Sequence, residues 1–568
     1  MKNKLIKIFL SVSVVSVLAI TSCQKKLDDA YANPNALVVE PVETLFPSLL
    51  GSIVGSQAAS GSGYGLAGDA LLIGRYIQYW GTYSTTYSAT SYTASNSSNY
   101  DAMGGTLGTS DNLGSFWAAF YFGQGLNLNR VVQWGAAQQK WDYVGGAQAL
   151  RAWGWLELAN QYADALVIRE AFDQSRQQFD YDPQSLGYDS CRQACFDALA
   201  NLSRTDGNVS PANFAIGDAY FYNGDVNKWK KFVYGVLARS YGYLNNKSTY
   251  SADSVIKYCN LAMTTNADNA TSKFSGGGFS GQNSYYGIFR GNVGPLRQGA
   301  YIANLMTGLN SAFPGVSDPR AWYMLRENPN GTIKGIVPWN GGSEISATND
   351  KPNNFWGNAY SSTTGADVTS KYIFRNQADC PIMTASEMQF LLAEAAFRKG
   401  DKATALTAYT NAISLNFDML VNNYATNMDP TKLITPAMKA AYLANPLVVP
   451  TSASALTLTQ IMLQKYIALY GWGVQETWTD MRRFHYNKDL DPVSSKPVYA
   501  DFAPPVTSPA SGTALFANNN GKLVYRCRPR YNSEYLYNIP SLKLVGAMDG
   551  SGSQVVDYHT LECWNTKP

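Results

Sequence analysis

The residues of this chain best suited to chemistry are aromatic rings set among amides and glycines. Residues 74–100 (GRYIQYWGTYSTTYSATSYTASNSSNY) hold seven of them, Tyr76, Tyr79, Trp80, Tyr83, Tyr87, Tyr92 and Tyr100, beside one charged side chain, Arg75. That density is about double the 13% aromatic content of the whole chain. Sugar rings present apolar C–H faces that stack on indole or phenol, while their hydroxyls need amides or charged groups at the rim. Burying one such face contributes on the order of 1–2 kcal/mol at about 25 cal/mol per Å², so a useful affinity needs several rings. Trp80, Tyr87 and Tyr92 are the loop candidates here; Tyr76, Tyr79 and Tyr83 fall at helical spacing and read as packing residues. A second group comprises Tyr285, Tyr286, Phe289, Trp322, Trp339, Trp356 and Tyr360. Trp339-Asn340-Gly341-Gly342 and Asn353-Asn354-Phe355-Trp356-Gly357-Asn358 each place an indole beside amides and glycines, a neighbourhood suited to an exposed ring with polar groups at its edge. Trp339, Asn340 and Trp356 are therefore ligand candidates. Trp322, which follows the Asp318-Pro319-Arg320 turn in a helical stretch, reads as structural.

Bond-breaking chemistry is poorly supplied. Two histidines in 568 residues exclude a multi-histidine metal site, no EF-hand-like spacing marks calcium, and no cofactor is expected. Gly63-Tyr64-Gly65-Leu66-Ala67-Gly68 fits GxGxxG, but no strand pattern precedes it. Walker, HExxH and GxSxG motifs do not occur. Paired carboxylates can hydrolyse a glycoside, and Glu387, Glu394, Glu476 and Asp480 are the acids in the helical segments. Glu476 and Asp480, four apart and followed by Arg482 and Arg483, read as an ion network on a helix surface. His485 reads as packing or capping the end of that helix. Of 44 basic against 41 acidic residues, the three in excess, Lys2, Lys4 and Lys7, all lie in the first ten. Beyond residue 22 the charges balance, which leaves no bulk field for a polyanion and argues against nucleic acid as partner.

The elements that must position the rings are helices. Thr384 to Asn416 predicts a helix capped by Ser386, with Phe390, Leu391, Ala395 and Phe397 on one side. A stop follows at Gly400-Asp401, then a second helix carrying Ala405, Tyr409 and Ala412. Small, aromatic, small at steps of four and three is the second-helix pattern of a tetratricopeptide repeat. Phe116–Tyr162, Trp229–Met263 and a long apolar helix in Gln460–His485 read as degenerate relatives. Cys191 and Cys195, four apart in a helical stretch, share one face, and the sequence supports no disulfide pairing. Residues 51–112, 271–380 and 488–568 lack helical period and read as insertions able to build a surface. The expected fold is mostly α: tetratricopeptide-like helix pairs forming a superhelical scaffold, with long irregular loops and a few short strands.

The N-terminus addresses the chain outward. A basic stretch, residues 1–7, precedes 13 largely apolar residues, Ile8 to Ile20, too few to span a bilayer. Ile20-Thr21-Ser22-Cys23 resembles a bacterial lipobox, in which the signal is cut before the cysteine and Cys23 is lipidated. The expected organisation is a signal peptide at 1–22, a lipidated tether at 23–35, and a single domain at 36–568. Several acyl chains anchor stably where one does not, which places the protein on a membrane through its lipid alone.

In their order, these segments resemble the SusD/RagB-like nutrient-binding outer-membrane lipoproteins over nearly the whole chain. The resemblance rests on the lipobox, Asn33-Pro34-Asn35, RAWGWLELANQYADAL (Arg151 to Leu166), Lys228-Trp229-Lys230-Lys231-Phe232, Asp318-Pro319-Arg320 and SEMQFLLAEAAFRKGD. It continues in QKYIALYGWGVQETWTDMRR (Gln464 to Arg483) and Arg530-Tyr531-Asn532-Ser533-Glu534 before Asn538. Tyr162-Ala163-Asp164-Ala165 departs from a Gly-containing turn common in the family. The resemblance implies a non-enzymatic, surface-exposed outer-membrane protein that passes oligosaccharides to a partner SusC-like TonB-dependent transporter. Its ring platform would combine the early loop with the later one. Peptide binding on the same scaffold and a glycan-degrading enzyme are the alternatives.

Overall fold

The structure, a computed structural model, describes residues 39–54, 69–83, 100–101, 103, 113–275, 296–357, 359–362, 365–426, 428–504 and 515–568. The chain divides into two compact units, residues 1–41, of which only 39–41 are described, and residues 42–568, which hold every element below. The signal stretch, Cys23 and its tether, the Gly63–Gly68 match, Tyr87, Tyr92, Tyr285, Tyr286 and Phe289 lie outside the described residues.

The second unit is built from helices, as the periodicity requires. In chain order the main ones are α1 (Val42–Val54), α2 (Ala70–Tyr76), α3 (Gly125–Ala137), α4 (Trp141–Tyr162), α5 (Gln184–Leu202) and α6 (Val226–Gly242). They continue with α7 (Ala252–Leu261), α8 (Ala300–Thr307), α9 (Ala385–Lys399), α10 (Lys402–Tyr424), α11 (Leu458–Ala468) and α12 (Val474–Arg483). Two antiparallel ladders join distant parts of the chain: β1 (Trp80–Thr82) with β3 (Leu296–Gln298), and β2 (Ala270–Ser272) with β4 (Cys380–Met383). Sequential helices pack as pairs, α3 on α4, α4 on α5, α6 on α7 and α9 on α10, around one extended apolar core.

The α9–α10 pair shows why the chain folds this way. Extended Thr384 caps α9 by accepting from the Glu387 N–H at 3.1 Å. Gly400 ends the helix in the left-handed conformation (φ 89°), and Asp401 caps α10 through the Thr404 N–H. Ala405, Tyr409 and Ala412 are buried as the repeat pattern demands, with the Tyr409 hydroxyl donating to the Val448 carbonyl at 2.7 Å. Ser386, expected as the cap, is instead the second residue of the helix and donates to the Ala412 carbonyl, tying the two helices together.

Other expectations are corrected. The long apolar helix read within Gln460–His485 is α11, which ends at Ala468; the chain turns where Gly471 takes φ 94°, and α12 follows as its partner. The helical spacing of Tyr76, Tyr79 and Tyr83 stops at Tyr76, because Gln78 at φ 67° turns the chain into β1. The stretches without helical period hold short elements: α2, α8, Ala321–Met324 and Ile539–Leu544.

The largest correction concerns the charges of α12. Every residue of that helix is buried, so its ion network is interior and not on the surface. Arg239 of α6 meets Glu387 at 2.7 Å, Glu476 at 2.9 Å and Glu157 of α4 at 3.4 Å. Arg483 meets Asp480 at 2.6 Å and Glu394 at 3.0 Å, and Lys465 of α11 closes on Asp480 at 2.7 Å. Packed helices deny these groups water, so each charge is solvated by its opposite. Burial, reinforced by Glu476, pushes the Glu157 carboxyl well up. Glu394, which burial alone would also raise, is held down to about 2 by Arg483 and Arg398. His485 sits at the end of α12 as read, its Nδ1 2.9 Å from Asp489 and its Nε2 2.9 Å from Glu562. Cys191, Cys195, Cys259, Cys380, Cys527 and Cys563 are buried free thiols, the first two on the core face of α5.

Candidate functional site

The β1–β3 ladder pairs Trp80 with Gln298, Gly81 with Arg297 and Thr82 with Leu296, and so brings the early ring-rich segment against the later one. Gly81 makes this close: a Cβ there would stand 2.7 Å from the Cα of Pro338, so only glycine lets the Pro338–Trp339 turn lie on the strand. Just past the strand, the Tyr83 and Tyr360 rings meet edge to face at 5.9 Å, and the Tyr360 hydroxyl donates to the Tyr83 carbonyl at 2.7 Å. The Arg297 guanidinium lies 5.0 Å from the Tyr83 ring centre and 5.5 Å from that of Tyr360, within cation–π range. It donates to the carbonyls of Tyr360 and Ser362, and burial lowers its pKa to about 10. The Lys351 ammonium stands 5.3 Å from the Tyr360 ring centre.

The far end of the early segment returns to the same place. Tyr100 stacks on Tyr76 at 5.2 Å, donates to the Tyr76 carbonyl, and meets the Trp339 ring edge to face at 5.2 Å. Its neighbour Asp101 accepts from the Phe516 N–H at 2.7 Å and the Asn519 amide at 2.9 Å; burial raises its carboxyl pKa. Both residues that bracket 84–99, Tyr83 and Tyr100, are thus pinned to rings of the later segment. Trp339 is partly exposed at the turn Val337–Gly341, where Gly341 takes φ 57°. Asn340 donates to Glu344, and at Gly342 a Cβ would fall 2.1 Å from the Tyr360 hydroxyl oxygen. Gly342 is therefore demanded by the approach of Tyr360, and Gly341 by its left-handed backbone.

Of the indoles predicted to be exposed, Trp339 alone reaches the surface, and only in part. Trp80 is fully buried, its ring against Gly74 and its N–H donating to the Leu71 carbonyl at 3.0 Å. Trp356 is 1% exposed between Phe355 and Phe374. Both indoles are core residues: sequence spacing cannot tell a loop that shows its ring from one that folds the ring inward. Tyr79 is buried as read, and Trp322 packs at the edge of the core under the Lys432 ammonium, 3.8 Å from its ring centre. Tyr83, read as packing, is partly exposed and belongs with Tyr360 and Trp339. Arg297 escaped the sequence reading; nothing in its neighbourhood marks it, because its partners come from 63 and 65 residues away. Among the described residues no group of three or more His, Cys, Asp or Glu side chains could hold a metal ion.

A paired-helix scaffold that gathers rings, amides and cations across a short ladder is equipped to bind a ligand face. Residues 46–499 match the SusD-like family model described as "Starch-binding associating with outer membrane", and the chain belongs to that family. Solved structures share its fold along nearly their full length. A SusD/RagB family protein from Bacteroides thetaiotaomicron VPI-5482 is 19% identical with a TM-score of 0.62, over 93% of this chain and 99% of that one. A SusD homologue from Bacteroides uniformis ATCC 8492 is 19% identical with a TM-score of 0.60, over 93% and 99%. A protein named as chitin-binding is 16% identical with a TM-score of 0.64, over 93% and 100%. No curated protein matches the chain.

Proposed function

We propose that this protein is a lipid-anchored, surface-exposed outer-membrane protein that captures oligosaccharides and delivers them to a SusC-like TonB-dependent transporter. One observation carries the reading: the β1–β3 ladder fastens the early and later segments together so that Trp339, Tyr83 and Tyr360 share one partly exposed patch with Asn340 and Lys351 at its rim. Rings with amide and ammonium edges suit the two faces of a sugar, C–H and hydroxyl. The acids weighed as catalytic, Glu387, Glu394, Glu476 and Asp480, are engaged in the interior by Arg239, Arg483 and Lys465, which favours binding over hydrolysis. No helix among the described residues is long and apolar enough to cross a membrane, in keeping with attachment through Cys23. The family's association with the outer membrane and the chitin-binding neighbour support the same assignment.

The test is isothermal titration of the full chain with malto-, cello- and chito-oligosaccharides, together with Trp339→Ala. Loss of one stacked face should weaken binding about tenfold, since 1.4 kcal/mol is a factor of ten, in a variant that still melts cooperatively. Absence of binding to any glycan, or peptide binding indifferent to Trp339→Ala, refutes the reading. Co-purification of a large β-barrel with the chain from outer membranes tests the transporter half.

A further inference from the structure

A second concave site lies away from the ring platform and shares no residue with it. It is a cavity of about 940 Å³, within the size range of ligand pockets, between the approach to α3, the 167–179 loop and residues 534–539. We propose that this cavity is a second binding site, for a neutral oligosaccharide.

The walls are built with unusual backbone. Ala119–Gln124 is a π-helical segment leading into α3, and Tyr531–Tyr535 is another on the opposite side. Such segments are rare and concentrate at functional sites. The first carries Phe122 outward, 57% exposed, while the neighbouring Tyr121 hydroxyl accepts from the Val167 N–H at 3.0 Å and fixes the loop across from it. In that loop Phe172 takes φ 67°, a conformation costly for an aromatic residue and kept only where the surroundings enforce it. What enforces it is a ring cluster with Phe120, Tyr121 and Trp155, and the absence of a side chain at Gly125, where a Cβ would fall 2.4 Å from the Phe172 ring. On the other wall Glu534 accepts from the Tyr181 hydroxyl at 2.7 Å and from the Asn538 amide at 2.9 Å, and Asn538 also donates to the Phe179 carbonyl. That clamp leaves Tyr537 standing outward, 63% exposed.

The chemistry of the lining selects the ligand. Phe122 and Tyr537 both line the cavity and offer exposed ring surface to it. The Gln174, Gln177 and Gln178 side chains along the rim have no hydrogen-bond partner among the described residues and supply both donors and acceptors. The charged groups are already engaged within the protein: Arg176 holds Glu170 at 2.8 Å and Asp173 at 3.1 Å, Glu534 accepts the hydrogen bonds given above, and the Arg530 guanidinium lies 5.4 Å from the Phe122 ring centre. A site with rings, uncharged amides and ions already engaged within the protein favours an uncharged polyhydroxylated chain over a charged peptide or a lipid headgroup.

Titration of the full chain with the same three oligosaccharide series decides the matter, using Phe122→Ala and Tyr537→Ala beside Trp339→Ala. Both cavity residues are exposed, so these variants should melt with the parent protein. The expected result is two classes of site for at least one series. Tyr537→Ala or Phe122→Ala should weaken one class about tenfold while Trp339→Ala leaves it intact, and saturation-transfer NMR should show ring-to-sugar contacts that vanish in Tyr537→Ala. Binding lost in Trp339→Ala but indifferent to both cavity variants overturns this inference and leaves the ring platform standing. Binding that only the cavity variants weaken upholds the cavity and overturns the platform. An uncharged peptide that binds with sensitivity to Tyr537→Ala, where no oligosaccharide does, overturns the ligand assignment.

Discussion

Arg239 pairs with Glu387, Glu476 and Glu157, at 2.7, 2.9 and 3.4 Å, and all four side chains are essentially without solvent contact. Replacing it with methionine keeps the volume and removes the charge, leaving buried carboxylates uncompensated, a change that costs about 3–5 kcal/mol. Unfolding entropy near 2.1 cal/mol/K per residue, taken over 568 residues, is about 1.2 kcal/mol/K, so the melting temperature should fall about 2–4 °C at pH 8. The acids can relieve the deficit only by taking up protons. Their folded pKa values then stand above the unfolded ones, so the penalty is absent below about pH 4.3 and grows as pH rises. Acidification to pH 5 should accordingly narrow the gap between Arg239→Met and the parent. Glu157→Gln is the control: burial and Glu476 already push its carboxyl well up, so the neutral isostere should stay within about 1 kcal/mol. Scanning calorimetry of the three proteins at pH 5 and pH 8 is the assay. A pH 8 melting point for Arg239→Met within about 1 °C of the parent, or a gap that widens on acidification, would refute the interior network as a stabilising element.

His485 is held by Asp489 and Glu562, and the hydrogen bond it donates to Asp489 is the main cause of its raised pKa, working against burial. The stability this lends is fully present below about pH 6.5 and is lost as pH rises through the folded pKa. His485→Gln should therefore cost up to about 1 kcal/mol at pH 5.5 and much less at pH 9, read by urea melts at both; an equal cost at both ends would contradict the assignment. Gly74→Ala places a Cβ 2.1 Å from the Trp80 ring. It should destabilise by about 1–3 kcal/mol and, because β1 starts at Trp80, weaken oligosaccharide binding as well; unchanged melting would mean that the ring moves aside freely.

The scaffold was legible in the residues themselves. The alternation of small and aromatic side chains from Ala405 to Ala412, the Gly400 stop and the acidic cap after it are local rules, and a helix obeys them wherever it sits. The order of motifs from Arg151 to Asn538 likewise pointed to the family before any coordinate did. Two things were beyond local reach. Whether an indole faces water depends on what packs over it: Trp356 has amides and glycines beside it as Trp339 does, and Trp80 lies in a ring-rich stretch, yet Phe355 and Phe374 close over the first and the second packs on Gly74. Whether the acids and arginines of α12 meet solvent depends on helices arriving from residues 157, 239, 394 and 465. Periodicity places a side chain on a face of its own helix; only the tertiary structure decides what lies opposite that face, and here that decided both which rings can meet a ligand and which charges hold the core together.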